Sequence, residues 1–217
     1  MKRVWPMLKR LLHDARGVSV TEFAIVLPVF ITLGMYGAEI AWMNSAAMEA
    51  SQVAIALADN ASRLGQTDNS GVTPTITGAD IESVLTGATE EGATIGLAQN
   101  GRVILSSLET HSVTGKQYIH WQQCMGDLKK SSDFGKPDLT GSALSKVASG
   151  LALGKTKITA PTGSSVMVAE VWYNYKGLFG TMFVKPFVMH EQAAMIVRDN
   201  RNTGPGVSNV LTKTSCS

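Results

Sequence analysis

The stretch Arg16-Gly17-Val18-Ser19-Val20-Thr21-Glu22-Phe23-Ala24-Ile25-Val26-Leu27 decides how this chain is built. It sets a glycine, four small uncharged residues and one carboxylate at the start of an apolar run. From Phe23, 16 uncharged residues pass before Glu39. As a helix these span roughly 24 Å, against a hydrocarbon core of about 30 Å, and adding residues 18–20 brings the run to a workable length. An acid at the centre of a bilayer costs about 2.5–3.5 kcal/mol, and less near the interface. A bare anchor has no use for Glu22, so something else must want that charge.

Working outward, residues 1–17 hold Lys2, Arg3, Lys9, Arg10 and Arg16 against Asp14, a net of +4 within a chain of net +2. Residues 18–217 are then near −2. The basic block reads as a leader that stays cytoplasmic, and no basic nucleic-acid surface survives its removal. At 217 residues the chain has room for an anchor and one domain with a modest core. Pro28 lies inside the apolar run, removes one backbone donor and predicts a kink near Ala24.

The helical pattern does not stop at the membrane. Ile40, Met43, Ala47, Ala50, Ala54, Leu57, Ala61 and Leu64 alternate in steps of three and four. That is heptad-like spacing, and a glycine at 65 ends it. One helix over 18–65 is expected, with residues 18–38 in the membrane. A conventional secretory signal also fits part of this region, since Ser45-Ala46-Ala47 offers small residues at a cleavage position. Against it stand Glu22 at the start of the apolar run and a helix that continues past that position.

Residues 16–64 are similar to the opening of TadE/TadG-like pseudopilins of Flp (Tad) pilus systems. Gly17, then Glu22 five residues later with Phe23 beside it, resembles a prepilin processing site. The resemblance is thinner but present in the last third, where an alternating strand, an apolar loop and a final strand follow in the same order. It implies a cut between Gly17 and Val18 by a prepilin peptidase, with Glu22 neutralising a sister subunit's free amino terminus. It also implies a type IV pilin-like α+β fold, in which a long transmembrane helix leans on a small antiparallel sheet. The implied place is the bacterial inner membrane, with residues 66–217 in the periplasm. The implied partners are other pseudopilins or pilin and the inner-membrane assembly platform. Glu22, Ile40, Met43, Leu57 and Leu64 are the expected helix-packing residues.

In the remainder, residues 66–78 read as a loop, and residues 80–91 as a helix capped near Thr77 or Ala79. Residues 102–108 and 117–121 read as a hairpin, and residues 126–156 as a glycine-dotted excursion with short helices at most. Residues 166–175 have the best strand alternation in the chain. Residues 187–198 predict a last strand with Met189, Ala193 and Ile196 inward. Between these two strands, residues 177–186 carry five large apolar side chains. Such a loop either folds onto the core or forms a patch for a partner or the membrane face. Cys124 and Cys216 would sit in an oxidising compartment, where they are expected to pair.

Catalytic chemistry finds no support. Residues 149–156 mimic a phosphate loop but have Ser149 where its first glycine belongs, so Gly154-Lys155 reads as a turn. Asp68-Asn69-Ser70-Gly71-Val72 lacks the last serine of a metal-binding Asp-x-Ser-x-Ser motif. His111, His120 and His190 are scattered, and no metal or cofactor site is expected from them. Glu90-Glu91 reads as a solvated face, and Cys124 near His120 lacks an orienting third group. The alternatives to a pilus component are a membrane-anchored periplasmic binding module, or a secreted domain with an ordinary signal.

Overall fold

The computed structural model describes residues 18–65, 75–198, 206–209, 214 and 216. Gly17, the rest of the leader and the Asp68–Val72 segment lie outside them. Helix α1 (Val18–Arg63) runs without interruption through Pro28. Gly65 then takes a left-handed backbone, φ 68°, as a helix stop requires. Helix α2 (Gly78–Glu91) begins at Thr77 with a full capping box. Thr77 Oγ1 accepts from the Asp80 amide, and the Asp80 carboxylate accepts from the Thr77 amide. A short α3 (Leu97–Asn100) leads into β1 (Gly101–Thr110), followed by β2 (Gln117–Met125), β3 (Leu151–Leu153), β4 (Thr156–Ile158), β5 (Ser165–Tyr175) and β6 (Phe187–Ile196). The fold is α+β: a long N-terminal apolar helix and a small antiparallel sheet.

The chain divides into two compact units. One holds α1 up to Trp42 together with Gly177–Lys185; the other holds Met43–Lys176 and the remainder from Pro186. The second half of α1, from Met43, thus falls in the same unit as the sheet.

In the larger unit the sheet order is β2-β1-β5-β6, antiparallel throughout. The two central strands are covered on both faces, so β1 and β5 read as continuous burial rather than alternation. On one face Leu108, Ile119, Val166 and Val168 pack with Phe134, Val147, Leu151 and Ala160 from the excursion after β2. The excursion contains no helix among its described residues, only turns and the β3–β4 hairpin, whose turn is Gly154-Lys155. On the other face α2 packs against β1 and β2, and burial, with the charge of nearby Glu49 of α1 beside it, raises the Tyr173 phenol's pKa.

Ala46, Ala50, Val53, Ala54, Leu57, Ala58 and Ala61 are buried along α1. This stripe is wider than a two-position seam and is set partly off it. Leu57, one of the expected helix-packing residues, is buried within the chain's own larger unit. Met43, Ala47 and Leu64 are half-buried. Alanine is small enough to sit on any helix face, so the three-four spacing alone did not choose between adjacent stripes. On β6, Met189 and Ala193 are inward as expected, but Ile196 is 45 % exposed and Val197 is buried instead. The strand ends at Ile196, so the alternation there no longer governs which side chain turns inward.

Candidate functional site

The smaller unit is built on the first half of α1. Apolar side chains from Val18 to Leu33 stand exposed around the helix, and Glu22 is exposed among them. Within the described residues α1 alone is long and apolar enough to cross a membrane. Thr21 and Thr32 turn their hydroxyls back onto the carbonyls of Val18 and Pro28, both at 2.8 Å, so neither presents an unmet donor to an apolar surrounding.

Seventeen residues beyond Glu22 the helix carries a second acid, Glu39, which has no exposed surface at all. Its cover is the loop that follows β5. The Phe179 amide donates to Glu39 Oε2 at 3.1 Å. Gly177 comes so close that an added Cβ would lie 2.7 Å from Glu39 Oε1 and against the Gly180 carbonyl. Only glycine fits there. The loop then returns along the helix. Phe183 meets Tyr36 edge-on at 5.8 Å and Phe179 at 6.0 Å. Phe183 also closes an apolar groove of about 530 Å³ with Pro28, Val29, Thr32, Leu33 and Tyr36. Leu178 and Met182 point outward, 54 % and 69 % exposed.

The predicted residues therefore fall into different settings. Glu22 and Phe23 are exposed on the apolar part of α1, and Val18 opens the described helix. Ile40 is half-buried in the smaller unit, one residue past Glu39. Cys124 and Cys216 form a disulfide, so Cys124 is no free thiol beside His120.

The sheet holds two carboxylate–imidazole groupings that spacing did not reveal. On one, Glu109 accepts from Ser107 Oγ at 2.8 Å and Tyr118 Oη at 3.3 Å, and lies 3.0 Å from His120 Nδ1. Burial, with the Glu109 charge and hydrogen bond beside it, pushes the Tyr118 phenol up from 10.0 to about 12. On the other, Glu170 is fully buried in β5 and accepts from Ser132 Oγ and from the Asp133 amide at 3.0 Å. His190 stacks on Trp172 at 3.5 Å and points Nε2 at Glu170 and Nδ1 at Asp133, each 3.3 Å away. Asp133, Glu170 and His190 offer ligand atoms within 4.8 Å of one another. Both imidazole nitrogens already face a carboxylate, and both Glu170 oxygens already accept donors. The grouping thus satisfies itself from the inside outward, with Glu170 buried, His190 half-buried and Asp133 exposed.

No protein-family model, curated protein or solved structure matched this chain in the comparisons made.

Proposed function

We propose that this chain is a minor pseudopilin of a Flp-type pilus system. A prepilin peptidase cuts it between Gly17 and Val18, residues 18–38 hold it in the inner membrane, and the remainder faces the periplasm. Its work is docking rather than catalysis, with other pseudopilins or pilin and the assembly platform as partners. The carrying observation is Glu22, an acid exposed among apolar side chains of α1. In lipid that position is costly until a cation meets it, and a sister subunit's new amino terminus is such a cation. The secretory alternative has less in its favour, because Ala46 at its expected cleavage position is buried within an unbroken helix.

The test is the intact mass of the protein recovered from cells that carry a prepilin peptidase, paired with Glu22→Ala. The expected results are a chain beginning at Val18 and a variant that still inserts but assembles few pili. A chain retaining Met1, or pilus output unchanged by Glu22→Ala, overturns the proposal.

A further inference from the structure

The loop Gly177–Lys185 has no place in the pilus reading, yet it is bound into the same compact unit as the apolar half of α1. We propose that this loop is a second, non-spanning membrane contact. It lies in the leaflet that α1 enters and offers its apolar groove to lipid acyl chains. The inference rests on α1 crossing a membrane and is independent of pilus assembly.

Depth comes first. Phe183 lines one groove with Pro28, Val29, Thr32, Leu33 and Tyr36, all within the lipid-crossing run. A slab of hydrocarbon that covers Leu33 and Pro28 therefore also reaches Phe183. The groove wall is almost wholly apolar, which suits an acyl chain and gives a polar ligand nothing to bind. Chemistry agrees at the rim. Tyr36, an aromatic with a polar tip of the kind that settles at the headgroup level, stacks edge-on with Phe183, which in turn meets Phe179. Lys185 is exposed where the loop ends, with a stem long enough to lift its ammonium toward phosphate.

Glu39 explains the loop's attachment. A carboxylate at the edge of a spanning helix is costly when it faces lipid. Here it is wholly buried, with Gly177 of the loop against one of its oxygens and the Phe179 amide donating to the other. The same contact that shields the acid holds Leu178 and Met182 outward beside the helix. In water, two such exposed side chains flanking an open groove are an unfavourable surface; in a leaflet they are ordinary.

Both native cysteines are locked in the disulfide, so single new cysteines can be labelled selectively. Nitroxides at Met182→Cys and Leu178→Cys would be placed in the full chain, reconstituted in phosphatidylcholine–phosphatidylglycerol vesicles and isolated by flotation. Power saturation with oxygen and with a water-soluble nickel chelate then reads their depth. Phe30→Cys marks lipid, and Leu144→Cys and Val113→Cys mark water, these two being 95 % and 86 % exposed. The expected oxygen-to-nickel ratio at positions 178 and 182 is several-fold above that at 144 and on the side of position 30. A ratio equal to that at position 144 overturns the proposal. Labels shielded from both reagents also overturn it, because they show the loop covered by protein.

Discussion

Glu39 and Tyr118 show how single side chains in this molecule depend on who shares their surroundings. Glu39 is an acid on an apolar helix, made tolerable by the backbone amide of Phe179 and by the lack of a side chain at Gly177. Glu39→Ala removes the acceptor, so the Phe179 amide should exchange its hydrogen faster than in the parent protein; equal protection by mass spectrometry would show that the bond does not hold the loop. Tyr118 responds to pH. Its folded pKa of about 12 lies above the ordinary 10.0, so folding favours the neutral phenol. That contribution is complete below pH 10 and is lost as pH rises from 10 through 12. The urea midpoint of the parent should therefore fall more steeply over that interval than that of Tyr118→Phe. Neither partner, Glu39's amide nor Tyr118's carboxylate, was legible from the sequence. Glu39 looked like the charge that ends a membrane run, and Tyr118 like one member of a strand.

Elements were more readable than their faces. Helix α1, the capped α2, the β1–β2 hairpin and the strong strand β5 follow from three-four spacing, a Thr–Asp capping box and apolar alternation, each a local signal. The choice among adjacent stripes of α1 was not local. Ala46, Val53 and Ala58 are buried within the larger unit, and alanine leaves no mark of preference. Ala54→Leu should force the helix away from its neighbours and cost about 1–3 kcal/mol by overpacking. Ile55→Ala, one position along and half exposed, should stay within about 0.5 kcal/mol. Urea unfolding of both variants in detergent checks the pair, and equal losses would mean that the buried stripe has been misassigned.

Across the whole molecule, the C-terminal residues are tied back to the sheet and to the start of α2. Ser208 exchanges backbone hydrogen bonds with Ile76 and Gly78, Thr214 donates to Gln123 at 2.6 Å, and Cys216 is joined to Cys124 over a separation of 92 residues. Closing a loop of that length restricts the unfolded chain, so replacing both cysteines by serine should cost about 2–4 kcal/mol in a urea titration. An unchanged midpoint would assign the tail's attachment to its hydrogen bonds alone. By itself the sequence determined the apolar run with its single early acid, the long helix, the four longer strands and two cysteines free to meet. Each of these is written in neighbouring residues, through hydropathy, periodicity and caps. Only the tertiary structure decided that Glu39 is closed by an amide 140 residues away, and that buried Glu170 meets half-buried His190 and exposed Asp133 in one grouping. Such pairings carry no period. They exist because sheet register and chain reversal bring distant polar groups into a low-dielectric interior, where each must find a partner.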